Sequence, residues 1–193
     1  MNHLVRKLQL TVCIHFITEV FVMEDPILQK ATYSAVVNDS GSNALVDASV
    51  TLSPATTGGS GLTNSTGTAT MIVSSSQSYT GVASMTGYTT SAPKPAGTNV
   101  VYNLALAPGN GSLIVTVKGT EDAVLSGAVV TTKSGDKSYS QDTNSSGVAA
   151  IGLAPGEYSV TATASGYTTS AVHTETVTAG GSKSLTITLV ASS

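Results

Sequence analysis

Side chains that usually carry out catalysis are few in this 193-residue sequence and lie far apart in it. The histidines are His3, His15 and His173, and Cys13 is the single cysteine. An active site needs a base, a nucleophile or a metal at converging positions, and no group of these residues has zinc-ligand or EF-hand spacing. The sequence therefore predicts a protein that is not an enzyme, with no catalytic residues, no metal and no cofactor.

Four carboxylates in the second half, Glu121, Asp122, Asp136 and Asp142, could gather at one end of a domain. Such a group could bind calcium weakly through its oxygen atoms. Solvated turn residues are the simpler interpretation, because acidic residues are common in turns. We therefore assign no site to them.

Asparagines in four Asn-x-Ser/Thr sequons offer a different chemistry, the attachment of N-linked glycans. They are Asn38, Asn64, Asn110 and Asn144, and all fall in predicted turns. Ser and Thr are so abundant that chance alone would supply several sequons. Glycosylation is therefore expected only if the protein is exported by an organism that has the machinery.

Composition favours β-structure and argues against two kinds of partner. Charged residues make up 10% of the chain and the formal net charge is −3, with no basic run, so nucleic acid would find no cluster of Lys or Arg to bind its phosphates. No apolar run approaches 18 residues, so no transmembrane span is expected. Val and Thr suit strands, while Gly and Ser populate turns.

One segment occurs twice, which predicts two copies of a small structural unit. Residues 63–67, Thr-Asn-Ser-Thr-Gly, return 80 positions later as Thr-Asn-Ser-Ser-Gly, and the Gly-Tyr-Thr-Thr-Ser at 87–91 returns 79 positions later. We interpret the shared glycines and tyrosines as structural residues, and expect the hydroxyls of the tyrosines that follow Gly to bond the backbone. The structural set is Gly67, Tyr79, Gly87, Tyr88, Gly147, Gly156, Tyr158, Gly166 and Tyr167.

Turn signals divide both copies into short strands, as in an all-β fold of two tandem seven-stranded β-sandwiches, transthyretin-like or Ig-like. The predicted domains are 31–106 and 112–193, joined end to end by a short, semi-rigid linker at 107–111. Predicted strands in the first domain are 32–37, 48–52, 68–73, 79–85 and 99–106. In the second, Leu113, Val115 and Val117 face one side of the first strand, Val129 faces the core, and further strands lie at 148–153, 158–164, 167–177 and 185–190.

The second copy resembles the carboxypeptidase regulatory-like family. The residues that carry this resemblance are Ala128-Val129-Val130, the run 143–147, Leu153-Ala154-Pro155-Gly156-Glu157-Tyr158 and Gly166-Tyr167. Residues 31–106 resemble it more weakly, since Ser76-Gln77-Ser78-Tyr79 replaces the Pro-Gly-Glu-Tyr turn. The resemblance implies a transthyretin-like seven-stranded sandwich that acts as a spacer or contact surface.

An N-terminal segment, residues 1–30, differs from the rest of the chain and is open to several interpretations. With period two, one face is almost entirely apolar, as in a strand that is retained; a helix with a polar stripe is the alternative. A degenerate export signal and a start of translation at Met23 also stay open. The apolar face, predicted to contact other subunits, consists of Leu8, Leu10, Val12, Ile14, Phe16, Val20 and Val22.

Together these features lead to the hypothesis of a non-enzymatic extracellular structural protein of the cell surface, the subunit of a filament or pilus-like fibre. Its expected partner is itself, through strand complementation by the N-terminal segment. The alternatives are a surface adhesin or carbohydrate-binding module for glycans or another surface protein, docking through turns 38–43 or 56–60, and a virion decoration protein. A third is an accessory domain of a secreted hydrolase.

Overall fold

In the computed structural model of this chain, residues 30–192 are described, and they form fourteen strands. Thr32–Val73 and the chain from Ser78 onward form one compact unit. The single helical turn in this part of the chain is a 3-10 segment at Thr120–Asp122. Apart from this turn, the described residues are all-β, as the composition predicts.

Seven strands in the first half form two facing sheets. They are β1 (Lys30–Asp39), β2 (Ser49–Ser53), β3 (Ser60–Leu62), β4 (Thr68–Ser74), β5 (Thr80–Ser84), β6 (Lys94–Pro95) and β7 (Val100–Leu104). One sheet has the order β4-β1-β7 and the other the order β3-β2-β5-β6. We call this half the first sandwich.

The second half repeats the arrangement with seven more strands. They are β8 (Gly111–Lys118), β9 (Val129–Ser134), β10 (Lys137–Asp142), β11 (Val148–Leu153), β12 (Gly156–Thr163), β13 (His173–Val177) and β14 (Ser182–Thr188). The sheets are β11-β8-β14 and β10-β9-β12-β13. In both sandwiches the first strand pairs in parallel with the last, β1 with β7 and β8 with β14. The prediction of two seven-stranded sandwiches is confirmed.

Each sandwich has its own apolar core. Alternation along β8 places Leu113, Val115 and Val117 inside, each fully buried, as the sequence predicts. The first core includes Val37, Val50 and Tyr102 from three different strands. Because the side-chain period of a strand is two, these inward positions leave the intervening residues on the outer faces of the sheets.

The repeated Thr-Asn segment has the same hydrogen bonds in both sandwiches. Thr63 Oγ1 donates to the Leu45 carbonyl at 2.6 Å and accepts the Ala48 N–H at 2.9 Å. Thr143 Oγ1 makes the matching bonds to Leu125 and Ala128 at the same distances. This buried hydroxyl ties the loop after one strand to the start of another, which explains why this part of the repeat retains its sequence.

Two predicted details of the second sandwich are wrong. Val129 is half-buried, and its neighbours Ala128 and Val130 face the core instead, because the bond from the Ala128 N–H to Thr143 sets the opposite alternation. The strand predicted at 167–177 is confined to β13. Before it the chain turns, since the Ser170 N–H donates to the Ala162 carbonyl and the Ala162 N–H to Ser170 Oγ.

Three short or polar edge strands, β3, β6 and β10, are missing from the predicted set. Residues 56–60 were predicted as a turn, yet Ser60 begins β3, and Lys94–Pro95 pairs with β5 although no strand was predicted there. β10 has the sequence Lys-Ser-Tyr-Ser-Gln-Asp, which is polar at almost every position. Such strands lack the apolar alternation on which the prediction depends.

Candidate assembly site

A buried contact outside the two cores joins the sandwiches, and β11 is its centre. Every residue from Ala149 to Leu153 is buried. Ile151 and Leu153 point into the second core, whereas Ala150, on the other face of the strand, belongs to the core of the first sandwich together with the half-buried Ile114 of β8. Strands β11 and β8 are therefore covered on both faces, whereas the outer face of β14 is exposed.

Two glycines allow the backbones at this junction to touch. A Cβ on Gly152 would lie 2.6 Å from the Gly87 carbonyl oxygen, closer than side chains approach backbone atoms, and a Cβ on Gly87 would meet Gly152 in the same way. Gly87 has φ of 86°, a conformation that glycine adopts without steric cost. Only glycine at both positions permits this approach.

Hydrogen bonds cross the junction beside the glycines. The buried Gln141 donates from Nε2 to the Val46 carbonyl at 2.8 Å, and Asn144 donates from Nδ2 to the Ala44 carbonyl at 3.2 Å. The Ser145 N–H donates to the Ser65 carbonyl at 2.8 Å. These bonds and the apolar contact together hold the sandwiches in one relative orientation.

The junction is an end-to-face contact, so the expectation that the sandwiches join end to end is wrong. From the first sandwich it uses the loops at one end, which contain Ala44, Ser65 and Gly87. From the second it uses the outer face of β8 and β11 and the adjacent strand β10. The short linker at 107–111 could not reveal this contact, because the small residues that allow it are far apart in the sequence.

Two clefts flank the junction. The larger, of about 580 Å³, lies between Asp47, Ser84 and Thr86 on one side and Tyr139 and Gln141 on the other. The second, of about 480 Å³, is lined by Asp39, Asn43, Tyr88 and Leu106 of the first sandwich and Ile114 of the second, among others. Serine hydroxyls line both clefts, so their polar groups could bind a hydroxylated ligand.

Burial and neighbouring charges shift the pKa of two groups near these clefts. Burial, and then the negative charge of Asp47, raises the pKa of Asp142 above its ordinary value. Burial, and then the Asp39 carboxylate, raises the pKa of Tyr88, so its phenol stays neutral. Asp39 accepts hydrogen bonds from the N–H groups of Gly41 and Asn43 and from the Asn43 side chain, which makes it a structural carboxylate.

The tyrosines of the repeat have different environments. The hydroxyls of Tyr79 and Tyr88 are buried and have no hydrogen-bond partner, so the expectation that the Tyr88 hydroxyl bonds the backbone is wrong. The Tyr158 hydroxyl does make such a bond, to the Ala154 carbonyl at 2.9 Å. Tyr167 is half-buried against the second core. All four rings help to fill or border a core.

The structural glycines of the repeat have matching backbones. Gly67 and Gly147 have φ of 71° and 72°, and Gly87 and Gly166 have φ of 86° and 80°. At Gly67 and Gly147 a Cβ would also collide with the carbonyl of Val37 or Val117. Gly156 has φ of 156° at the start of β12. Their positions agree with a structural interpretation, which stays a prediction until they are substituted.

Sequon asparagines differ in how freely their side chains can react. Asn64 is exposed, and its Oδ1 accepts the N–H groups of Thr66 and Thr68. Asn144 accepts the matching bonds from Ser146 and Val148 but is only 4% exposed. Asn110 donates to the Gly87 carbonyl at 3.2 Å, and Asn38 is half-buried in β1. Glycosylation stays a prediction.

The apolar face of the N-terminal segment, Leu8, Leu10, Val12, Ile14, Phe16, Val20 and Val22, lies outside the described residues. Within 30–192, no three His, Cys, Asp or Glu side chains are grouped so that they could hold a metal ion. In the same range no helix is both long and apolar enough to cross a membrane.

Gln141, Ala150 and Gly152 were absent from the predicted site residues, although they form the junction. One signal could have revealed them: the run Val-Ala-Ala-Ile-Gly-Leu of β11 is apolar at every position. A strand that is apolar on both faces is covered on both faces. The sequence therefore contained evidence for a second contact on this sheet, but not for its partner.

This geometry defines a class of protein, an all-β chain of two sandwiches locked together by an end-to-face contact. In a comparison with known protein families, residues 112–190 of the second sandwich match the family model described as "Carboxypeptidase regulatory-like domain". The second sandwich is thus similar to that domain. Whether the first sandwich is a second copy stays a prediction. No curated protein matches the chain in sequence.

Solved structures resemble the chain only distantly. The Bacillus anthracis TIE protein has 17% identity and a TM-score of 0.40 over 84% of this chain, which spans 34% of that structure's length. GBS52, the minor pilin of Streptococcus agalactiae, has 15% identity and a TM-score of 0.37, covering 84% of this chain and 96% of its own. The shaft pilin SpaA of Lactobacillus rhamnosus GG has 15% identity and a TM-score of 0.35, covering 86% and 99%.

Proposed function

We propose that this protein is a non-enzymatic structural protein of the cell surface, the repeating subunit of an extracellular filament. The junction between the sandwiches supports this most directly. The contact of Gly87 with Gly152 and the hydrogen bond donated by the buried Gln141 hold the two small sandwiches together as one stiff block. A fibre needs a stiff subunit. A domain of about 80 residues buries little surface alone, so the contact also contributes stability.

Open sheet edges offer a route to polymerisation. The sheet β4-β1-β7 ends in β4 and β7, and neither strand contains a charged residue or a proline, the usual protection of an edge. The N-terminal segment of another copy would pair with such an edge as an added strand. Burying the side chains of Leu8, Leu10, Val12, Ile14 and Phe16 would contribute roughly 7 to 15 kcal/mol before the costs of association.

Full-length variants test this mechanism. Leu10→Asp with Ile14→Asp places two charges on the apolar face of the donor segment, and Thr11→Asp with His15→Asp places them on the opposite face as a matched control. Electron microscopy should show fibres for the wild type and the control, and monomers for the first variant. Fibres that persist when residues 1–30 are deleted would rule out strand donation.

A second candidate function, a surface adhesin that binds glycans, is favoured by the larger cleft. Ser49, Ser84, Thr86 and Ser140 supply hydroxyls there, and Tyr139 supplies a partly buried aromatic ring. Thr86→Trp would fill the cleft from an exposed position, and Thr90→Trp, also exposed but outside the cleft, is the control. Glycan-array binding that Thr86→Trp abolishes and Thr90→Trp preserves would support this function. Equal binding by both variants would exclude the cleft.

A further inference from the structure

The two sandwiches present the same end to their surroundings, but only one of these ends is covered. In the first sandwich, the end loops containing Ala44, Gly87 and Tyr88 lie at the junction, and Tyr88 is buried there at 7% exposure. The matching loops of the second sandwich contain Val124, Gly166 and Tyr167. Val124 is 53% exposed, Gly166 is exposed and Tyr167 is half-buried. We call this surface the free end.

An outer sheet face is likewise covered in one sandwich and open in the other. Ala150 and Ile114 on the face of β11-β8-β14 are covered by the first sandwich. The corresponding sheet of the first sandwich, β4-β1-β7, has Ile72 of β4 and Val101 of β7 on its outer face, 54% and 45% exposed. We call this surface the free face.

Half of the strongly exposed large hydrophobic side chains in the described part of the chain lie on these two surfaces. Six large hydrophobic residues are strongly exposed in the described part of the chain: Leu62, Ile72, Val101, Val124, Val172 and Val190. Ile72 and Val101 lie on the free face and Val124 on the free end. Val190 lies beside the free end, where its carbonyl accepts the Thr168 N–H. Apolar side chains grouped in this way often mark protein contacts.

We propose that the free end of one copy docks on the free face of a second copy, repeating between molecules the end-to-face contact that joins the sandwiches within one. This inference rests on the proposed filament function and specifies a contact for it. Charge also favours the pairing through Glu121, which borders the free end beside Asp122, a carboxylate already paired with Lys118 at 3.1 Å. The Lys94 ammonium lies at the border of the free face, 2.6 Å from the Val101 carbonyl.

One sequence difference between the two copies of the repeat changes the packing of the proposed contact between molecules. Ile72 occupies the position that Gly152 occupies 80 residues later, so the backbones of two copies cannot touch as those of Gly87 and Gly152 do. The opposing glycine is Gly166, and a Cβ there would have no atom within 4 Å, which leaves space for the Ile72 side chain. The contact between copies is therefore wider than the junction within the chain.

Because the two surfaces differ, the contact is heterologous: each copy uses its end on one neighbour and its face on another. Such contacts form rings when the rotation closes and open helical fibres when it does not. The free end and free face thus add a second point of attachment to the strand-donation mechanism.

Full-length single variants and their mixture test the proposal. Val124→Asp places a charge on the free end and Ile72→Asp places one on the free face, and Val172→Asp, at 65% exposure on neither surface, is the control. By sedimentation at increasing concentration, each of the first two should weaken self-association by at least about tenfold, and the control should match the wild type. Mixing Val124→Asp with Ile72→Asp, both in the Leu10→Asp with Ile14→Asp background that blocks strand donation, should restore association as dimers, because each supplies the surface that the other lacks.

The outcomes separate this inference from the proposed function. Self-association that Val124→Asp and Ile72→Asp leave unchanged, together with fibres that disappear in Leu10→Asp with Ile14→Asp, would overturn the inference and leave the filament function intact. Head-to-tail association of the wild type without fibres would support the inference and contradict the filament function. Association that the two variants and the control weaken equally, or a mixture that stays monomeric, would overturn the inference.

Discussion

The backbones of Gly87 and Gly152 lie in direct contact, so that a Cβ on Gly152 would be 2.6 Å from the Gly87 carbonyl oxygen. These residues are 65 positions apart and belong to different sandwiches. Hydrogen bonds from Gln141 to Val46 and from Asn144 to Ala44 join the same two sandwiches. The relative orientation of the sandwiches therefore depends on the absence of two side chains.

We expect Gly152→Ala to lower the free energy of unfolding by about 1 to 3 kcal/mol, since backbone atoms must move to admit the new methyl group. Urea unfolding measures this. Gly97→Ala is a matched control, because a Cβ there would meet only the Val100 side chain, at 3.5 Å, and it should change stability by less than about 0.5 kcal/mol. Equal effects of the two substitutions would show that the glycine contact is unimportant.

Asn64 and Asn144 occupy the same place in the repeat, but only Asn144 is buried and only Asn144 bonds the other sandwich. Replacing either with Asp preserves the oxygen that accepts the turn N–H groups. At Asn144 it also removes the donor to Ala44 and buries a charge, so we expect Asn144→Asp to cost at least about 2 kcal/mol. Asn64→Asp should cost less than about 0.5 kcal/mol. Urea unfolding at neutral pH compares the two, and similar costs would contradict the structure at this junction.

Tyr88 and Tyr158 differ in what their hydroxyls contribute. Tyr158→Phe removes the bond to the Ala154 carbonyl and should cost about 0.5 to 1.5 kcal/mol. Tyr88→Phe removes a buried hydroxyl that has no partner, so it should be neutral or stabilising. Thermal unfolding of both variants provides the comparison. A marked loss of stability in Tyr88→Phe would mean that its hydroxyl has a partner in solution.

The Asp142 carboxyl group should make the free energy of unfolding depend on pH. Burial and the charge of Asp47 raise its pKa above the ordinary 3.8, so the folded state binds the proton more tightly than the unfolded state does. The resulting stabilisation is present below the unfolded pKa and is lost as pH rises through the folded pKa. Asp142→Asn should therefore be more stable than the wild type at pH 7, and this advantage should disappear near pH 3. Melting temperatures measured across this range test the sign, and an advantage that grows on acidification would contradict it.

How far the fold could be predicted depends on the burial of each strand. β11 coincides with the predicted strand, because its residues are apolar and its ends are marked by Gly147 and Pro155. β10 was missed because an edge strand exposes most of its side chains and therefore needs no apolar alternation. At Val129 the pattern was ambiguous, since Ala128, Val129 and Val130 are all apolar, and the hydrogen bond to Thr143 decides which of them face inward.

The assembly site could be predicted only in part. The repeat identified the turns that form the end of each sandwich, including Gly87 and Gly166, but sequence similarity cannot show which end is covered. That difference depends on Ala150 and Gly152, two small residues whose counterparts in the first sandwich are Thr70 and Ile72. Their size matters only once the neighbouring backbone is in place.

The parallel pairing of first and last strands within each sandwich determines when that sandwich can fold during translation. The first can close as soon as β7 has left the ribosome, because β1 then has its neighbour. The second cannot close until β14 has been synthesised, because β14 pairs along the length of β8. During that interval β8 and β11 are in reach of a finished first sandwich, whose end loops can serve as a template for the nascent chain.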